Sequence, residues 1–285
     1  MLEKDVKVVV DGLDHPEGVA WGLDGNLYAG GEAGQIYKID VEQGVAEIMG
    51  STGGFILGIA LDAQGNVYAC DSRRRAVMRV EADGSGSVLT SGAPERPMVT
   101  PNYPVFTESG RLFVSDSGTW EKNDGCIYVR EPDGTTQVWS TESSQFPNGL
   151  ALDCEENHLY VVESSGERVV RIPINADGTA GAMTLVMDLE RAVPDGLAFD
   201  VEGGLVISCY RPDTVFLLDV DGNLEVLAHD YRGTGLASPT NVCFGGEDMK
   251  RLFVANLGRW HIAEISMSSP GMPMRYPTVT LTGTS

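Results

Sequence analysis

Pro194-Asp195-Gly196-Leu197-Ala198-Phe199, followed by Gly203-Gly204-Leu205-Val206-Ile207-Ser208, reads as a short turn, an apolar strand, a glycine turn and a second apolar strand. The pattern recurs as Pro147-Asn148-Gly149-Leu150-Ala151-Leu152 with Asn157-His158-Leu159-Tyr160-Val161-Val162, and as Pro16-Glu17-Gly18-Val19-Ala20-Trp21 with Asp24-Gly25-Asn26-Leu27-Tyr28-Ala29. Looser copies start near Leu57, Asn102 and Asn241. The matching positions are 17, 57, 102, 148, 195 and 241, spaced 40 to 47 residues apart. A period in that range suits one four-stranded propeller blade per repeat.

Third strands are legible further along each unit, as in Gln35-Ile36-Tyr37-Lys38-Ile39 and Cys126-Ile127-Tyr128-Val129-Arg130. Their apolar runs are nearly continuous, as expected of sheets packed on both faces. The predicted fold class is all-β: a six-bladed β-propeller of four-stranded antiparallel blades, forming one domain over 1–285. Val6-Lys7-Val8-Val9-Val10 precedes the first repeat as a lone strand. It is predicted to complete the last blade as its outer strand and so close the ring. The tail, 268–285, carries three prolines and fits no blade position. It is expected along the surface or disordered.

Composition agrees with many turns. Glycine makes up 35 of 285 residues, where average usage of about 7% would give roughly 20. The 20 Lys+Arg against 41 Asp+Glu leave a net charge of −21. Such a chain repels nucleic acid and anionic membranes. The expected partner is therefore a small molecule, with no nucleic acid and no membrane. No basic segment followed by a long apolar run begins the chain, and no stretch approaches the roughly 18 apolar residues of a membrane span. Five cysteines without a Cys-x-x-Cys pair argue against a zinc site or a disulfide framework. Reduced, strand-buried thiols in a cytoplasmic protein are the expectation.

One repeat position stands out chemically. Its occupants are Glu17, Leu57, Asn102, Asn148, Asp195 and Asn241, five of them carboxylates or carboxamides. A propeller brings the starts of its innermost strands to one axis, so these side chains are predicted to converge. Converging carboxylates repel and raise each other's pKa values, and a divalent cation relieves that repulsion. An all-oxygen donor set suits Ca2+ first, with Mg2+, Mn2+ or Zn2+ as alternatives. The competing reading is that Asn, Asp and Glu before glycine are simply turn residues.

At these residues the chain resembles the family of senescence marker protein, gluconolactonase and luciferin-regenerating enzyme. The resemblance runs from about Gly12 to Met267. It rests on His15-Pro16-Glu17-Gly18 with Trp21, on Pro147-Asn148-Gly149 and Pro194-Asp195-Gly196, and on Pro239-Thr240-Asn241-Val242 with Phe244-Gly245-Gly246. It implies a divalent metal held by Glu17, Asn148 and Asp195. It also implies that Asn102 contacts substrate, or joins the metal as in the related diisopropylfluorophosphatase. Asp195 matches the residue assigned as base or nucleophile. Sugar lactonases of the family commonly have Arg two residues before the matching Asn and Asp just after it. Here those positions are Thr100 and Tyr103. Tyr103 and Trp120 therefore suggest a more apolar pocket, with core or loop packing as the alternative for each. His15 is a candidate to orient a ligand or move a proton, against a structural hydrogen bond in a turn.

The predicted function is metal-dependent opening of a lactone or related ester. No Gly-x-Ser-x-Gly elbow supports a serine hydrolase. A phosphotriesterase or metal-dependent lyase on the same scaffold is the alternative within enzymes. A non-catalytic binding propeller of the NHL type, suggested by Asp71-Ser72-Arg73-Arg74-Arg75 in the second repeat, is the alternative outside them.

Overall fold

The computed structural model describes residues 6–280. Residues 1–5 and 281–285, the ends of the expected domain and tail, lie outside the described residues. Six four-stranded antiparallel sheets follow one another around a ring, and no helix occurs among the described residues. The innermost strands are Val19–Trp21, Ile56–Leu61, Pro101–Phe106, Pro147–Leu152, Val193–Phe199 and Pro239–Gly245, one per blade in chain order. Each blade but the last then runs outward strand by strand.

The last blade is completed by the other end of the chain. Val6–Val10 pairs antiparallel with His261–Ser266, placing Val6 opposite Ile265 and Val8 opposite Ala263. The predicted closure is present.

The core lies between blades rather than within them. Between blades three and four, for example, Tyr103, Phe113 and Ile127 pack on Leu150, Leu159 and Val161. This explains the weak alternation in the sequence. Both faces of Ile56–Leu61 and Leu112–Asp116 are buried, whereas the outer strands Val45–Ser51 and Gly86–Thr90 are largely exposed. Four of the five cysteines are buried, Cys154 is exposed, and all five are free.

The turn reading of the Pro-x-Gly motifs does not hold. In blades two, three, four and six a bulge at the ring position sets two residues opposite one of the partner strand, and in blade five the register shifts on both sides of Pro194 and leaves Asp195 without a paired residue. A bulge re-aims one side chain, here toward the axis. The following glycine permits close approach of blades. A β-carbon on Gly18 would lie 2.8 Å from Gly58 Cα, one on Gly149 would lie 2.8 Å from Gly196 Cα, and one on Gly196 would lie 2.7 Å from Asn241 Cα. Gly196→Ala is therefore expected to force two innermost strands apart at a cost of about 1–3 kcal/mol. A lowered midpoint in thermal denaturation checks this; an unchanged midpoint would show slack between the blades.

The tail is ordered through residue 280 and crosses one end of the tunnel. Pro270 carbonyl accepts from Val201 N at 2.9 Å and Met272 N donates to Phe199 O at 2.8 Å, both in blade five. Arg275 binds Glu156 Oε1 at 3.1 Å and the carbonyls of Asp153 and Cys154 in blade four. Tyr276 hydroxyl donates to Trp21 O at 2.5 Å in blade one, and Pro277 O accepts from Ala63 N at 3.0 Å in blade two. These contacts lie at the C-terminal ends of the innermost strands, opposite the ring of polar residues. Beneath the tail, Phe106, Leu152, Phe199, Phe244, Met272 and Met274 enclose an apolar cavity of about 80 Å³. The tunnel is thus stoppered at this end. A chain ending at Ser269 is expected to lose about 3 kcal/mol or more, because Met274, Tyr276 and Val279 each cover blade-to-blade core. Urea denaturation of the shortened chain measures the loss.

Candidate active site

The ring positions meet at the unstoppered end of the tunnel. Glu17, Leu57, Asn102, Asn148 and Asp195 line one pocket of about 270 Å³, together with Ser164, Trp120, Phe146, Val193, Tyr210 and Leu257. Asn241 completes the ring beneath it, its Nδ2 donating to Asp195 Oδ1 at 3.4 Å. The Glu17 carbonyl accepts from Asn241 N at 3.2 Å and Thr240 Oγ1 at 2.8 Å, which ties the first blade's ring residue to the last blade's.

Serines on neighbouring strands set the amide orientations. Ser117 Oγ donates its one proton to Pro147 O at 2.8 Å and so can only accept from Asn102 Nδ2, at 2.9 Å. Ser164 Oγ likewise donates to Pro194 O at 2.7 Å and accepts from Asn148 Nδ2 at 3.3 Å. The nitrogens being held this way, Oδ1 of Asn102 and of Asn148 face away from the protein's donors. Both atoms are buried without a hydrogen-bond partner among the described residues, and so is Asn241 Oδ1. An unsatisfied buried acceptor costs about 1–3 kcal/mol. Three of them in one ring call for a ligand.

The carboxylates carry the same message. Burial pushes Asp195 up to about 7, and a hydrogen bond with Asn148 pulls the other way. Glu17 is raised well above the usual carboxylate range, first by burial and then by the Asp195 charge. Two carboxylates and three carboxamide oxygens form an all-oxygen set without nitrogen or sulfur. That set fits a hard divalent cation.

Two expected substrate contacts lie elsewhere. Tyr103 is buried between blades, where its ring packs on Gly58 and within the Phe113 and Leu150 cluster; burial pushes its phenol up. The bulge turns Asn102 to the axis and leaves the next side chain facing the neighbouring blade. His15 also stands outside the pocket lining. Its Nδ1 meets Asp14 Oδ1 at 2.9 Å and Glu32 Oε2 at 3.0 Å, and its ring lies tilted against Trp260, centroids 4.5 Å apart. Asp14, His15 and Glu32 thus form a cluster outside the pocket lining. Trp120 does line the pocket, half-exposed, with its ring edge-on to Phe146 at 4.8 Å.

Phe146, Ser164, Val193, Tyr210 and Leu257 were not singled out in the sequence. The repeat offered a signal for some of them. Ser117, Ser164 and Tyr210 all follow their ring residue by 15 or 16 positions, at the ends of second strands. Phe146 and Val193 lie just before ring prolines.

Residues 16–257 match the family described as the SMP-30/Gluconolactonase/LRE-like region. A gluconolactonase of Zymomonas mobilis is 24% identical over 285 residues, covering 88% of this chain and 78% of its own. Among solved structures, a gluconolactonase from Xanthomonas campestris superposes with a TM-score of 0.78 at 24% identity, covering 93% of this chain and 89% of that one. The calcium-binding protein regucalcin from Agrobacterium tumefaciens superposes with a TM-score of 0.80 at 18% identity, covering 96% and 97%. With the fold, the ring and the match to most of its length in agreement, the chain belongs to the SMP-30/gluconolactonase/LRE-like family.

Proposed function

We propose that the protein hydrolyses lactones in the pocket above the ring, with a divalent cation, calcium first, held by Glu17, Asn148 and Asp195 and with Asn102 as a further ligand or substrate contact. The observation that carries this reading is the coincidence, in one pocket, of the partnerless carboxamide oxygens of Asn102 and Asn148 with two carboxylates raised by burial, and a third such oxygen on Asn241 beneath them. Family membership supports the reaction class. Bound there, the cation supplies polarisation of the lactone carbonyl and stabilisation of the oxyanion charge.

The chain's own groups do the rest. Calcium acidifies water weakly, so a protein base is needed. Asp195 sits at the floor of the pocket, where its carboxylate can take a proton. It takes the proton from the attacking water as the water oxygen bonds to the carbonyl carbon. The bond to the ring oxygen then breaks, and the proton returns to that oxygen as it leaves. Asn102 and Asn148, fixed by Ser117 and Ser164, orient the reacting carbonyl. Trp120 and Phe146 at the wall exclude bulk water.

Turnover of a lactone panel before and after chelation tests the proposal. Activity is expected to vanish on chelation and to return with added calcium. Full activity in the metal-free protein would remove the cation from the mechanism.

A further inference from the structure

Above its polar floor, the pocket changes character. The wall is made by Leu57, Trp120, Phe146, Val193, Tyr210 and Leu257. Its side chains offer two polar groups, the Trp120 indole N–H and the Tyr210 hydroxyl. No Lys, Arg or His is among the lining residues. Arg211 next to Tyr210 is exposed, with its guanidinium over the Tyr210 ring at 5.4 Å. Ser164 Oγ is already occupied as both donor and acceptor. Leu57 matters most here, because it stands where the other five blades present a carboxylate or carboxamide. That break in the ring extends the apolar wall down to the level of the reacting group.

A polyhydroxylated lactone would bring several hydroxyls against this hydrocarbon, leaving most of them without partners. An alkyl or aryl body instead gains apolar contact, and a flat ring can lie against Trp120 and Phe146. The pocket has a volume of about 270 Å³ and opens to solvent. That is room for a small lactone.

We propose that this site selects uncharged lactones with an alkyl or aryl body over polyhydroxylated sugar lactones. The inference rests on the lactonase reading for its reaction, but not for its binding preference. Two measurements keep these apart. The first is kcat/KM of the calcium-loaded protein on dihydrocoumarin, δ-hexalactone and glucono-δ-lactone. The second is calorimetric binding of hydrolysis-resistant lactams, 3,4-dihydro-2-quinolinone against the lactam of gluconic acid.

Dihydrocoumarin and its lactam are expected to be favoured by tenfold or more. Trp120→Ala should cut that ratio by tenfold or more, and Leu57→Asn, which supplies the missing amide, should shift it toward the sugar compound. Equal or tighter binding of the sugar lactam overturns the proposal, as does failure of both lactams to bind. If the apolar lactam is preferred but no lactone is turned over, the selectivity stands and the lactonase reading falls.

Discussion

Asp195→Asn, assayed at saturating calcium, is expected to lower kcat on a hydrolysed lactone by about 10²- to 10⁴-fold, the usual worth of a positioned general base. The substitution keeps the shape of the side chain and the oxygen that accepts from Asn241 Nδ2. What it removes is the carboxylate's ability to take a proton. The same change should stabilise the metal-free protein at pH 8, because it deletes a buried charge that repels Glu17. Loss of turnover with a raised metal-free melting midpoint is therefore the expected signature. Loss of turnover with a lowered midpoint would indicate damage to the fold, and retained kcat would eliminate Asp195 as the base.

Calcium is expected to raise the melting midpoint by roughly 5–10 °C at a hundredfold excess over Kd. This follows from the ~2.7 kcal/mol of linkage at that ratio and a shift of about 2–4 °C per kcal/mol for a chain of this size class. The effect should depend on pH in a defined direction. Asp195 in the metal-free fold titrates near 7 and Glu17 well above its ordinary value, whereas unfolded carboxylates titrate near about 4. The folded chain thus holds protons that the unfolded chain has released. The stability linked to these groups is complete below about pH 4 and is lost as pH rises through about 7. Bound calcium replaces those protons, so its affinity rises over the same interval. The calcium-induced shift should be larger at pH 8 than at pH 5.5. An equal shift at both values would place the cation away from these two carboxylates.

Much of this was legible before any coordinates. The repeat spacing reported six blades because each blade must bury the same faces. Val6–Val10 was readable as the closing strand because it was an apolar strand with no unit of its own. Five polar occupants at one repeat position pointed to convergence because propeller geometry brings equivalent residues to one axis. Tyr103 was misplaced because a register shift lies just after Asn102, and periodicity cannot show which side of a bulge a residue takes. His15 was left between two roles. Its partners Glu32 and Trp260 are 17 and 245 residues away, so only folding could reveal its company. The tail was read as peripheral because its Pro-rich sequence matches no blade, yet its backbone bonds, Arg275 and Tyr276 tie it to blades one, two, four and five.

By itself, then, the order of residues determined the number of blades, their strand content and the identity of the polar ring. These follow from local patterns repeated six times, and each repeat reinforces the others. Tertiary structure alone decided which oxygens of the ring lack partners, which carboxyls are raised, how the tunnel is stoppered and what lines the wall above the ring. Those properties depend on burial and on distances between residues far apart in the chain. No local pattern encodes them, because desolvation and unpaired hydrogen-bonding groups exist only once the blades have closed on one another.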